Sequence, residues 1–149
     1  MELTELFETE NISLEFSANN KDEAIKKLSE LICKNRDFIN PAKVYEIIME
    51  REELGSTGIG NEVAIPHGKI DFNHKIVGAI ALSRQGVEFE AIDKKPVKIF
   101  FALLTGSDST NLHLKVLAKI SRLLMDENFR NAILNVKSKD ELKTLLKTR

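Results

Sequence analysis

Cysteine occurs once in these 149 residues, at Cys33. That excludes an internal disulfide and any zinc site built on several cysteines, and it fits a reducing compartment. Neither sign of charge is in excess: 22 Lys and Arg stand against 23 Asp and Glu, so no general attraction to nucleic acid or anionic lipid is expected. No run of about eighteen apolar residues is present, so direct membrane insertion is not expected. The opening Met-Glu-Leu-Thr-Glu-Leu-Phe-Glu carries acids where a secretory signal carries bases. These absences predict a cytoplasmic protein. Internal repeats, low-complexity tracts and linkers rich in Pro, Gly or Ser are missing too, which leaves one domain spanning residues 1–149. A chain of this length buries roughly two-thirds of its unfolded surface.

What is present divides into helical and strand patterns. Ala24, Ile25, Leu28, Leu31 and Ile32 recur at helical spacing over residues 21–36, behind Asn20 with Glu23 three residues on, a capping-box pattern. A second helix is predicted from Pro41, behind a capping Asn40, through Val44, Ile47 and Ile48 to Gly55. The nearly unbroken apolar runs Ile76–Leu82 and Val97–Leu104 read as strands covered on both faces, at the centre of a sheet. Ile12–Phe16 and Val63–Ile65 are further strands, and the alternation Val87-Glu88-Phe89-Glu90 predicts a half-exposed edge strand. The last third reads as helices: Leu112–Leu124, Phe129–Leu134, and one after Ser138, which pairs with Glu141 in a second capping box. Strands followed by helices imply a mixed sheet layered with helices.

Residues 55–68 concentrate the chemistry: Gly55, Ser56, Thr57, Gly58 and Gly60, then Pro66, His67 and Gly68. Glycines let backbone N–H groups converge on an anion, and the two hydroxyls add donors, so the stretch has the composition of a phosphate-binding site. His67 supplies a nucleophile, because a neutral imidazole keeps one nitrogen lone pair. It lies between Pro66, which fixes φ, and Gly68, which frees the backbone beside it. The plainer reading is a turn histidine that caps a loop. Better-known nucleotide motifs do not fit: Gly68-Lys69 is followed by Ile70 where a P-loop needs Ser or Thr, and the glycines follow a helix where a dinucleotide fingerprint follows a strand. His67, His74 and His113 lack the spacing of a metal site, so no metal is expected. Ser56 lies in no Gly-x-Ser-x-Gly elbow.

Arg51 and His113 each occupy a helix position where the pattern predicts an apolar side chain. Arg51 continues the stripe of Val44 and Ile48, one turn before Gly55, and His113 shares a stripe with Leu117, Ile120 and Leu124. Pointed inward, the two would form a cationic shell around a phosphoryl group on His67. The plainer readings are a snorkelling arginine at a helix C-terminus and a core histidine satisfied by backbone. His74, in a polar segment before a strand, reads as an exposed loop residue.

Gly-Ser-Thr-Gly-Ile-Gly followed by Val-Ala-Ile-Pro-His-Gly, with Phe89-Glu90-Ala91-Ile92-Asp93 and His113-Leu114-Lys115-Val116-Leu117, resembles the enzyme IIA domains of the bacterial phosphoenolpyruvate-dependent sugar phosphotransferase system, fructose/mannitol type. The resemblance spans nearly the whole chain. It implies a single α/β domain with a mixed, mostly parallel sheet flanked by helices on both faces. It also implies that His67 accepts a phosphoryl group from the histidine-containing phosphocarrier protein and passes it to an enzyme IIB domain or serves a regulated protein, with His113 and Arg51 beside the ring and no nucleotide, metal or other cofactor. Ile59, Ile65 and Ile70 are expected either on the partner surface or in the core, with Ile65 placed in the core. The family includes sugar-transport members and a nitrogen-regulatory branch, and the wording Gly-Ser-Thr-Gly-Ile-Gly-Asn and Phe-Glu-Ala-Ile-Asp is closer to the second. Two other readings stay open: a binding module of the same fold that accepts no phosphate, and a general acid/base enzyme that uses His67 on a small substrate.

Overall fold

The two longest apolar runs become adjacent antiparallel strands in the middle of one sheet in the computed structural model, which describes residues 2–72 and 76–148. In chain order the elements are α1 (Leu3–Leu6), β1 (Ile12–Ser13), α2 (Lys21–Cys33), α3 (Pro41–Glu53), β2 (Gly58–Gly60), β3 (Val63–Ala64), β4 (His67–Ile70), β5 (Ile76–Val87), β6 (Val97–Gly106), α4 (Thr110–Met125), α5 (Glu127–Leu134) and α6 (Lys139–Lys147). The sheet runs β1-β5-β6-β3-β2, and β4 pairs with β6 beyond β3. Pairings β1–β5, β3–β6 and β4–β6 are parallel, and β2–β3 and β5–β6 are antiparallel. This is the mixed, mostly parallel α/β sheet that the family resemblance implied.

Alternation along the two central strands divides the core. Ile80 and Leu82 of β5 and Ile99, Phe101 and Leu103 of β6 pack with residues of α1, α4, α5 and α6. Ala79 and Ala81 of β5 and Phe100, Ala102 and Leu104 of β6 pack on the other face with α2 and α3. Helices therefore cover both faces, and the stretches Ile76–Leu82 and Ile99–Leu104 are apolar because neither of their faces meets water.

The predicted caps form. Asn20 Oδ1 accepts from Glu23 N at 2.9 Å, Asn40 Oδ1 from Ala42 N at 2.8 Å, and Ser138 Oγ from Glu141 N at 3.1 Å. Helix α2 stops at Cys33, short of the predicted residue 36, where Asn35 takes a left-handed φ of 59°. Two strand expectations need correction. Ile12–Phe16 is a strand only at Ile12–Ser13, although Phe16 N returns to Leu82 O at 2.9 Å. Val87–Glu90 is no separate edge strand: Val87 ends β5 opposite Val97, Phe89 plugs the core against Phe100, and Glu90 turns at φ 57°. A buried aromatic flanked by two exposed acids mimics strand alternation without a ladder. His74 lies in residues 73–75, outside the described residues.

Among the described residues β4 pairs only with β6, which leaves its other edge open. That edge faces the end of α3 on one side and the start of α4 on the other, and the site lies there.

Candidate functional site

His67 is the first residue of β4, locked into the sheet where Leu103 N donates to Pro66 O at 2.9 Å. Its Nδ1 lies 2.7 Å from the carbonyl oxygen of Ile65. A carbonyl has no proton to give, so Nδ1 carries the proton and Nε2 keeps the lone pair. Burial pushes the ring below its ordinary pKa of 6.5, partly countered by the Ile65 hydrogen bond, with Arg51 pushing down and Glu52 up. At neutral pH the ring is uncharged and its Nε2 lone pair is available for chemistry.

His113 stands in the first turn of α4, buried, with its ring centroid 5.4 Å from that of His67. Its Nδ1 meets Thr105 Oγ1 at 2.7 Å. Burial first, then His67 and Lys69, push its pKa down to about 4. His113 is therefore neutral and offers hydrogen bonding, whereas the sequence suggested a cation; low polarity around the ring disfavours the charged form.

Arg51 lines the same cleft while its Nη1 donates to Gly55 O at 3.0 Å, so it both caps the end of α3 and faces His67. The cleft, about 460 Å³, is walled by Ile47, Glu50, Arg51 and Leu54, by His67, Gly68 and Lys69, and by His113, Leu114 and Leu117. Gly68 is there for packing: a Cβ on it would lie 2.5 Å from Ile47 Cγ2.

Gly55, Ser56, Thr57, Gly58 and Gly60 are not among these walls. Ser56 Oγ accepts from Gly58 N at 3.0 Å, Thr57 is buried with its hydroxyl on Glu52, and a Cβ on Gly58 would lie 2.7 Å from Ala91 Cβ. The segment folds onto β3 and residues 91–93, and both hydroxyls are used internally.

Two contributors escaped the sequence reading. The buried stripe of α3 is Val44, Ile48 and Glu52, with Arg51 half-exposed beside it. The Glu52 side chain, 2% exposed, takes Lys21 Nζ at 2.8 Å and Thr57 N at 2.8 Å. The four-residue spacing from Ile48 was the signal, and an acid at an apolar position hid it. Lys69 is the other; its alternation with His67 becomes visible only once residues 67–70 are known to be a strand. The exposed apolar rim is Leu54 (84% exposed) and Leu114 (59%). Ile59 is also exposed but sits on β2, Ile65 is core, and Ile70 packs against the α2–α3 side.

Residues 5–148 match the family described as "Phosphoenolpyruvate-dependent sugar phosphotransferase system, EIIA 2". The chain belongs to that family. Among its relatives, the "Nitrogen regulatory protein" of Escherichia coli (strain K12) is 38% identical over 123 residues, 82% of this chain and 75% of that protein. The crystal structure of the nitrogen regulatory protein IIA-Ntr from Neisseria meningitidis superimposes with a TM-score of 0.90 at 32% identity, over 97% of this chain and 98% of that one. Enzyme IIA of the mannitol system of Escherichia coli, in complex with phosphorylated enzyme IIB, gives a TM-score of 0.78 at 25% identity, over 97% of this chain and 100% of that one. The EIIA family is the phosphotransfer component of the system, and among the described residues of this member no helix is long and apolar enough to cross a membrane.

Proposed function

We propose that this EIIA protein carries a phosphoryl group on Nε2 of His67, received from the histidine-containing phosphocarrier protein and passed to an enzyme IIB domain or used as a signal in nitrogen-type regulation. The observation that carries the reading is the 2.7 Å contact between His67 Nδ1 and Ile65 O, which leaves a neutral ring with its lone pair on Nε2 at the cleft. In the transfer, Nε2 forms a bond to phosphorus as the donor's N–P bond breaks, and that electron pair returns to the donor ring. The His67 ring then bears phosphorus on Nε2 and a proton on Nδ1, so it carries positive charge that strengthens its donation to Ile65. Arg51 and His113 meet the phosphoryl oxygens, and positioning with charge compensation supplies the catalysis.

Leu54 and Leu114 give a docking partner apolar contact beside the reacting ring, as a modest transient interface needs. The regulatory output is favoured by the higher structural likeness to IIA-Ntr (TM-score 0.90) than to IIA of the mannitol system (0.78). Ser56, Thr57 and the glycines at 55, 58 and 60 serve by holding the segment that leads into Pro66. Incubation with phosphoenolpyruvate, enzyme I and the phosphocarrier is expected to add one acid-labile, base-stable phosphoryl group, lost in His67→Ala. No mass gain in the native protein would favour a binding module of the same fold.

A further inference from the structure

The proposed relay leaves a charge unbalanced. A phosphoryl group brings a charge of about −1.5 to −2, of which the positive charge on the phosphorylated His67 ring offsets only part, and His113, with its pKa at about 4, meets it uncharged. From α3 the cleft receives Arg51 and also Glu50, whose charges cancel, and the nearby Glu52 is paired with Lys21. Among the described residues the remaining charged group on the cleft is Lys69, from β4.

We propose that Lys69 is a phosphoryl-binding residue: its ammonium rests on Thr110 in the free protein and moves onto the phosphoryl oxygens once Nε2 of His67 carries them. The inference rests on the relay reading above. Strand geometry supports it, because His67 and Lys69 project to the same side of β4 while the intervening Gly68 turns toward Ile47. On that side, Lys69 Nζ contacts Thr110 Oγ1 at 3.1 Å, and Thr110 opens α4 one turn ahead of His113. Register repeats the arrangement: Lys69 lies opposite Thr105, whose hydroxyl holds the His113 ring. Among the described residues Lys69 makes no ion pair, and a single exposed hydroxyl holds its ammonium in place. Such a contact is readily exchanged for a charge-assisted bond to a phosphoryl oxygen, which is roughly twice as strong.

Loading the protein from phosphoramidate, a donor with no docking surface, separates binding of the group from recognition of a partner. The phosphoprotein is then titrated by phosphorus NMR in native, Lys69→Met and Lys69→Arg forms. Arg51, Glu50 and His113 are common to all three, so a difference reports position 69. Lys69→Met is expected to raise the phosphoryl pKa by roughly 0.5–1 unit, since a neighbouring cation favours the dianion, and Lys69→Arg should restore most of the native value. An unchanged pKa in Lys69→Met, with a native melting curve, overturns the inference and leaves the relay standing. If the native protein takes no phosphoryl group on His67 from either donor, the relay reading fails and this inference with it.

Discussion

Thr105 Oγ1 lies 2.7 Å from His113 Nδ1, so the end of strand β6 holds a ring from the first turn of α4. Both residues are buried. In the tautomer that serves transfer, the hydroxyl donates to Nδ1 and Nε2 of His113 carries the proton that a phosphoryl oxygen accepts. Thr105→Val keeps the shape and removes the donor. An unsatisfied buried nitrogen costs about 1–3 kcal/mol, so urea unfolding should show that loss, and transfer from the phosphocarrier should slow by about tenfold, the equivalent of one hydrogen bond. Thr105→Ser should recover most of the rate. Equal rates in Thr105→Val and native protein would remove this bond from the transfer step.

The histidines also make stability depend on pH. His113 has its folded pKa lowered from 6.5 to about 4, and His67 is lowered as well. As pH falls below 6.5 the unfolded chain binds protons that the folded one refuses, so the contribution is fully present above 6.5 and is lost as pH falls toward 4. The urea midpoint should drop between pH 7 and 4.5, and the drop should shrink in His113→Gln. Ring proton NMR gives a direct check: the His113 signal should stay still from pH 8 to 5.5. Titration of that signal near 6.5 would contradict the burial of its charge.

How far the sequence led varies with the kind of residue. Helix caps were legible because Asn20, Asn40 and Ser138 act on amides two or three positions away, and local chemistry needs no knowledge of the fold. The central strands were legible because both faces are apolar. His67, Arg51 and His113 were each singled out, and the structure brings all three to one cleft. The tautomer of His67 was hidden, since it depends on the backbone bend that returns Ile65 O to the ring. The charge of His113 was hidden because burial sets it. Phosphate-like composition in residues 55–60 was legible, but Ser56 turns back on Gly58 N and Thr57 onto the buried Glu52, which entered that reading only as part of the predicted helix.

Glu52 ties the N-terminal end of α2 to residue 57 through Lys21 and Thr57. Glu52→Ala leaves Lys21 without its partner and Thr57 N without its acceptor, and breaking a buried pair costs about 3–5 kcal/mol. Glu52→Gln keeps an acceptor for Thr57 and should cost less. Because the Glu52 charge raises the His67 pKa, Glu52→Gln should lower it further. NMR titration of the His67 ring tests the sign, and an upward shift would mean that Glu52 acts on His67 through structure alone.

Gly68 sits between His67 and Lys69, and a Cβ there would approach Ile47 Cγ2 to 2.5 Å. The contacted methyl sits on a β-branched side chain, whose χ1 is stiff, so it yields only if α3 moves away from β4. Overpacking of this kind costs about 1–3 kcal/mol. The displacement would also carry Arg51, one turn after Ile47 on the same helix, away from His67. Gly68→Ala is therefore expected to lower both stability and phosphoryl transfer, although Ala is an ordinary strand residue and no chemistry is removed. Ile47→Ala clears the contacted methyl, so the double variant should lose less than the sum of the two single losses. Strict additivity in urea unfolding would place the strain of Gly68→Ala elsewhere and detach the spacing of α3 and β4 from the geometry of the site.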